Sequence, residues 1–130
     1  MLFVEKMTNA SVNNATIQQR NIENASRAKN PFESLPDVLL YRTDSTEYIL
    51  YSRTKNDMDT KTLKWAFKLA ERNVSPFYKT LSMGWQPKVK QSDLNKTWAR
   101  YVVAVDANKT PVGYAMFRFD MDYGHSVLYW

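Results

Sequence analysis

The 130-residue chain has the length of one modest domain, and its 44% apolar content argues against a wholly disordered protein. It has no cysteine and one histidine, His125, which excludes a disulfide framework, a cysteine-ligated zinc site and a multi-histidine metal site. The net charge of +5 fits a solvated basic surface or an acidic partner such as nucleic acid. Because the basic residues are scattered along the chain, we do not expect direct nucleic-acid binding.

Residues 1 to 33 are rich in Asn, Ser and Ala and contain few large apolar residues. We predict a flexible or partly helical N-terminal arm here, with one helix near residues 16 to 29. Pro31 and Pro36 then mark the entry to a domain that covers residues 34 to 130. No secretory signal or bilayer-spanning apolar stretch is visible, so we expect no membrane partner.

The domain begins with strand signals. Residues 38 to 41 can be extended, and the aromatic and β-branched run at 47 to 51 predicts the first strand. Thr43, Asp44 and Ser45 supply turn residues between these two segments.

Two helices are predicted next. The first covers residues 60 to 73, because Asp59 can cap it and apolar residues recur at helical spacing to form a stripe that faces the core. A second, shorter helix is predicted after Ser75, with Pro76 at its first position, where the missing amide removes no hydrogen bond. It ends near Gly84.

The rest of the chain has the period of strands. Residues 86 to 97 are polar and give no clear assignment, and residues 101 to 105 then form a near-continuous apolar strand that we expect to be buried on both faces. Residues 112 to 122 and 127 to 130 follow as further strands. Short turns join these strands, which predicts antiparallel pairing.

Alternation along residues 112 to 122 sorts the side chains into two faces. One carries Val112, Tyr114, Met116, Arg118, Asp120 and Asp122, and the other, which we predict to be core, carries Ala115, Phe117, Phe119 and Met121. An even turn at Tyr123 and Gly124 would pair Arg118 with Tyr129 and Asp120 with Val127, whereas a three-residue turn would reverse the parity. We favour the even turn, which brings Tyr129 onto the face of the two carboxylates.

Two interpretations of this polar face stay open. It is either a solvated sheet surface, on which Arg118 and Asp120 pair with little energetic gain, or an acidic spot that recognises a cationic group. An arginine side chain would suit two carboxylates through charge-assisted hydrogen bonds. The chain shows no glycine-rich phosphate loop and no Ser-His-Asp set.

The predicted order of strand, two helices and antiparallel meander resembles the N-terminal half of the GNAT acetyltransferase fold, which is an α+β fold. Short runs add detail to that likeness: LKWAFKL at 63 to 69, FY at 77, GW at 84, PV at 111, FRFD at 117 and VLY at 127. In combination they resemble the NatD family of histone-specific N-alpha-acetyltransferases, over roughly residues 35 to 130.

The resemblance implies an enzyme that transfers acetyl from acetyl-CoA to the alpha-amino group of histone tails beginning Ser-Gly-Arg-Gly. It places the protein in the cytoplasm and nucleus, with association with the ribosome as a further expectation. It also implies roles for four residues in substrate binding. Tyr78 lines the peptide site, Asp120 holds the substrate arginine, Asp122 is a second acidic residue, and Tyr129 belongs to the substrate pocket.

The chain departs from the family in several places. Met83 stands where the family has a substrate-site tryptophan, and Trp130 replaces a smaller residue. The family's general-base glutamate follows that position, and the Arg-x-x-Gly-x-Gly/Ala loop for acetyl-CoA is also missing, so no catalytic or cofactor-binding residue is expected among these residues. We therefore expect a partial GNAT domain, inactive alone. The alternative is a non-catalytic fragment that binds histone tails or competes with the full enzyme.

Overall fold

The computed structural model describes residues 9–130, with side chains from Val12 onward. Over that range the chain forms three α-helices and five β-strands, joined by turns and by short 3₁₀ helices at Pro36–Leu39 and Lys55–Asp57. In chain order these are α1 Asn9–Arg27, β1 Leu40–Arg42, β2 Glu47–Thr54, α2 Thr60–Tyr78, α3 Pro87–Leu94, β3 Arg100–Val105, β4 Pro111–Asp122 and β5 His125–Tyr129. Neighbouring strands pair antiparallel in the order β1-β2-β3-β4-β5. The fold class is α+β, as predicted.

The chain divides into two compact units, which are described separately. The hairpin unit consists of the described residues up to Ala28 together with Arg118–Tyr129. The sheet unit consists of Lys29–Phe117 and Trp130. Within residues 9–130, no helix combines the length and the apolar content that crossing a bilayer requires.

The core of the sheet unit lies where α2 packs on the sheet. Its buried residues are Met58, Ala66, Leu94, Ala99, Tyr101, Val103 and Val105, and Leu63, Trp65 and Phe67 of α2 pack against them. The run predicted to be buried on both faces is fully buried on only one, since Val102 and Ala104 of β3 are half-buried. Because side chains alternate along a strand, Val102 and Ala104 point to the side of the sheet opposite α2.

The prediction for the core face of β4 is partly wrong. Ala115 is exposed, whereas Tyr114 and Met116, which we placed on the polar face, pack against the core. The reason is α2, which covers this side: the rings of Trp65 and Tyr114 meet edge to face at 5.8 Å. Phe117 is buried as predicted, with an edge contact to Phe32 at 6.3 Å.

The helices differ most from the predictions. A helix does form in the N-terminal arm, but it is longer than residues 16 to 29 and begins at Asn9. The predicted break before Ser75 is wrong, because α2 continues through Pro76 to Tyr78. Pro76 lies in the last turn, where its missing amide removes only one backbone hydrogen bond before the helix ends. The helix α3 occupies part of the segment that had no assignment.

The strands agree better with the sequence. The predicted first strand at 47 to 51 forms β2, which extends to Thr54. The segment predicted to be extended, residues 38 to 41, is a strand only from Leu40, where β1 begins. The last three strands form the antiparallel meander that the short turns predicted.

Candidate functional site

The turn between β4 and β5 decides which side chains share a face of the hairpin unit. Asp122 pairs with His125 and encloses a two-residue loop, in which Tyr123 and Gly124 have φ of 46° and 77°. Positive φ at both central positions is the signature of a type I′ turn, whose twist matches that of the strands. The even turn is therefore confirmed.

The register that follows is also the predicted one. Arg118 pairs with Tyr129, and Asp120 pairs with Val127. Because paired residues point to the same side of a sheet, Tyr129 shares its face with Arg118, Asp120 and Asp122. The structure thus brings together three of the four predicted substrate-binding residues.

These side chains contact one another. Arg118 Nη2 lies 2.8 Å from Asp120 Oδ2, and the Arg118 guanidinium carbon lies 5.4 Å from the centre of the Tyr129 ring. Asp122, whose carboxylate can accept from the Tyr129 hydroxyl, raises the pKa of Tyr129. The Arg118 and Asp120 side chains are 38% and 39% exposed, so solvent screens this ion pair and keeps its contribution below about 1 kcal/mol.

Asp120 holds a second contact. Its Oδ1 accepts the backbone amide of Met121 at 2.8 Å, while Oδ2 faces Arg118. Each carboxylate oxygen has two lone pairs, so both oxygens keep capacity for a further donor. A face with two carboxylates and an aromatic ring has the chemistry that binds a guanidinium group.

Helix α1 contributes a neighbouring feature of the hairpin unit that sequence reasoning missed. Gln18 Oε1 accepts hydrogen bonds from the backbone amide of Ser126, at 2.9 Å, and from its hydroxyl. A depression of about 620 Å³ is lined by Val12, Ala15, Thr16, Gln19, Arg20, Glu23 and Met121. Gln18 and Ser126 are 108 positions apart in sequence, so no local sequence pattern could have predicted their contact.

Tyr78, the fourth predicted residue, belongs to the sheet unit instead. Its ring meets that of Trp85 edge to face at 5.9 Å. Both line a cavity of about 220 Å³ whose other walls are Met83, Gly84, Gln86, Val89, Lys90 and Asp93. The indole N–H of Trp85 is buried and has no hydrogen-bond partner among the described residues. Trp85 therefore packs against Tyr78 and also carries a donor that no described residue uses.

The lining from Val89 to Asp93 comes from α3, which the sequence left unassigned. The signal that could have found it is Pro87, which stands at the first position of the helix.

The three glycines of the chain lie far apart in sequence and form no glycine-rich loop. Gly84 lies before α3, and the first residue of that helix, Pro87, has no amide. Gly113 lies within β4, and Gly124 lies in the hairpin turn. Residues 9–130 also contain no cluster of His, Asp or Glu side chains arranged to bind a metal ion.

No model of a known protein family matches this chain.

Proposed function

We propose that this chain carries the substrate-recognition part of a GNAT-type protein N-terminal acetyltransferase of the NatD family. Its substrate would be a histone tail that begins Ser-Gly-Arg-Gly. The observation that supports this most is the register of β4 and β5, which gathers Asp120, Asp122 and Tyr129 on one face. The resemblance had assigned these same residues to the substrate.

The substrate arginine would use both kinds of contact that this face offers. Its planar guanidinium can donate two parallel hydrogen bonds to a carboxylate, which a lysine ammonium cannot match. Stacking on the exposed ring of Tyr129 would add about 0.5–1 kcal/mol. The face would therefore select arginine at the third position of the tail over lysine.

Tyr78 would contribute separately, in the sheet unit. The cavity that it lines with Trp85 has mainly apolar walls and one unused indole donor. A peptide carbonyl is the complementary acceptor, because a buried N–H without a partner costs about 1–3 kcal/mol and gains that back when it is paired.

Acetyl-CoA belongs to the proposal through the resemblance alone. We derive no chemical step that passes through it. The cytoplasm and nucleus, where histones are made and used, are the corresponding locations.

Calorimetric titration with a peptide beginning Ser-Gly-Arg-Gly tests the recognition half of the proposal. We expect Asp120→Ala to weaken binding about tenfold, as the loss of a charge-assisted hydrogen bond of about 1.5 kcal/mol would do. A peptide with citrulline in place of arginine should bind the parent as weakly as arginine binds the variant. Asp44→Asn, an exposed turn residue of the sheet unit, is the matched control and should have no effect. Unchanged binding by Asp120→Ala would refute the arginine site.

Mass spectrometry of the same mixtures after addition of acetyl-CoA tests the catalytic half. A mass gain of one acetyl group on the peptide assigns catalysis to this chain. Binding without that gain favours the alternative, a non-catalytic protein that binds histone tails.

A further inference from the structure

Helix α2 aligns basic residues that look scattered in the sequence. Lys61, Lys64 and Lys68 are spaced at i, i+3 and i+7, and all three are exposed. Residues with this spacing lie on one side of a helix, and here they extend over roughly 10 Å of its axis.

The three lysines border a groove. With Thr60 and Trp65 they line a depression of about 620 Å³. A second depression, of about 700 Å³, shares Lys61 and Trp65 with the first and adds Lys109 from the turn before β4. We call Lys61, Lys64, Trp65, Lys68 and Lys109 the lysine groove; it lies entirely within the sheet unit.

The turn that carries Lys109 is held in place. Asp106 Oδ1 accepts the backbone amides of Asn108 and Thr110, each at 2.9 Å, and Lys109 adopts a left-handed φ of 61° between them. Such an Asx-type turn fixes the direction in which the lysine leaves the backbone. The groove is therefore bordered by cations on a helix and on a rigid turn.

No lysine of the groove forms an ion pair with another residue of the range 9–130. Arg42–Glu47 and Arg118–Asp120 are ion pairs formed elsewhere in the chain. Asp59, at the edge of the second depression, bonds to the backbone amide and the hydroxyl of Thr62. Glu71, three positions after Lys68, is the one acidic residue in the sequence of α2. Four lysines thus stand against three carboxylates, those of Asp59, Glu71 and Asp106, which leaves an excess of positive charge.

We propose that the lysine groove binds single-stranded nucleic acid, with phosphates on the lysines and a base against the indole of Trp65. An acidic peptide could satisfy the charges, but it would make no use of an aromatic wall between them. Proteins that bind single strands combine a cationic groove with an aromatic side chain on which a base stacks. We expected no nucleic-acid binding because the basic residues are scattered along the sequence. Helix α2, however, brings three of these lysines to one side.

Fluorescence anisotropy with a labelled oligouridine tests the charges. The variant Lys64→Gln/Lys68→Gln should weaken binding roughly 10- to 100-fold at low salt and reduce the slope of log K against log salt by about 1.4. The matched control, Lys88→Gln/Lys96→Gln, loses the same charge from exposed positions of the same unit outside the groove. At about 0.15 M salt it should change affinity by no more than about twofold, since screening limits distant charges. Equal losses in the two variants would overturn the proposal.

Tryptophan fluorescence tests the base. Oligouridine should quench part of the emission, and Trp65→Phe should abolish that part while it leaves the salt slope unchanged. Trp98→Phe, which alters a 43% exposed indole, should leave the quenching in place. If polyglutamate displaced the oligouridine at the same charge concentration and Trp65→Phe left the quenching intact, the partner would be an acidic protein and the proposal would be wrong.

Discussion

Arg118 and Tyr129 are directly paired across β4 and β5, and the guanidinium of Arg118 lies over the Tyr129 ring. The same guanidinium contacts Asp120 at 2.8 Å. Arg118 therefore makes, within the protein, both contacts that a bound peptide arginine is proposed to make. A peptide has to share this face with Arg118 or displace it, and the weak energy of an exposed ion pair makes displacement feasible.

Replacing Arg118 should therefore strengthen peptide binding. In Arg118→Ala, Asp120 and Tyr129 lose a competing cation, and we expect affinity for the arginine peptide to rise by up to about fivefold, the equivalent of an exposed pair. Calorimetric titration measures this. Arg53→Ala is the matched control, because this substitution removes the same charge from an arginine that lies over another tyrosine ring. Arg53 lies 5.2 Å from the centre of the Tyr51 ring, in the sheet unit. Weaker binding by Arg118→Ala would show that Arg118 helps to hold the peptide.

The hairpin face could be predicted because its determinants are local. The turn needs positive φ at two residues, and Gly124 adopts a positive φ readily. The length of the loop then fixes which face of the hairpin each side chain occupies. The core side of β4 could not be predicted in the same way. Ala115 and Phe117 alternate with Tyr114 and Met116, so both faces are apolar there and only the packing of α2 decides between them.

The course of α2 could not be predicted for a different reason. A proline after a serine is equally compatible with the start of a helix and with the last turn of one. Tertiary contacts decide the case, since Ser75 is buried within the sheet unit.

The Tyr101 hydroxyl is predicted to stabilise the sheet unit. Tyr101 is fully buried, and its hydroxyl donates to the backbone carbonyl of Leu94 at the end of α3. Tyr101→Phe leaves that buried carbonyl without its partner, so we expect the free energy of unfolding to fall by about 1–3 kcal/mol. Urea denaturation followed by circular dichroism measures the change. Tyr123→Phe, at a position that is 95% exposed, should stay within about 0.5 kcal/mol of the parent.

The same hydroxyl makes stability depend on pH at the alkaline end. Burial raises the pKa of Tyr101 above the unfolded value of 10.0. The stabilisation is therefore fully present below pH 10.0 and is lost as the pH rises through the folded pKa. Tyr101→Phe should show a smaller alkaline loss, to which Tyr114 still contributes because burial raises its pKa too. Identical profiles for the two proteins would contradict the burial of the Tyr101 hydroxyl.

Pro76→Ala tests whether α2 is continuous. In a helix that runs through this position, alanine restores an amide that can bond to the carbonyl of Arg72, and it relieves the clash of the proline ring with that carbonyl. We expect a gain of about 1 kcal/mol in the free energy of unfolding and slow hydrogen exchange at the new amide. If a separate helix began at Pro76, alanine would gain no partner there, and stability would stay level or fall.

Asp59 caps the start of α2, and its removal gives a prediction with a defined pH dependence. Its Oδ1 accepts the Thr62 amide at 2.8 Å and its Oδ2 accepts the Thr62 hydroxyl at 2.6 Å. These bonds lower the pKa of Asp59 below its ordinary value of 3.8. At neutral pH, Asp59→Ala should reduce the free energy of unfolding by about 0.5–2 kcal/mol.

The charged cap stabilises the fold above pH 3.8 and loses this effect as the pH falls through the folded pKa of Asp59. The difference between the parent and Asp59→Ala should therefore shrink in acid. Asp59→Asn retains an acceptor for the amide of Thr62 and has no charge to lose, so its stability should exceed that of the alanine variant at every pH. Urea titrations of the three proteins across the acid range measure both effects. A constant difference between parent and alanine variant would mean that the carboxylate charge contributes nothing to the cap.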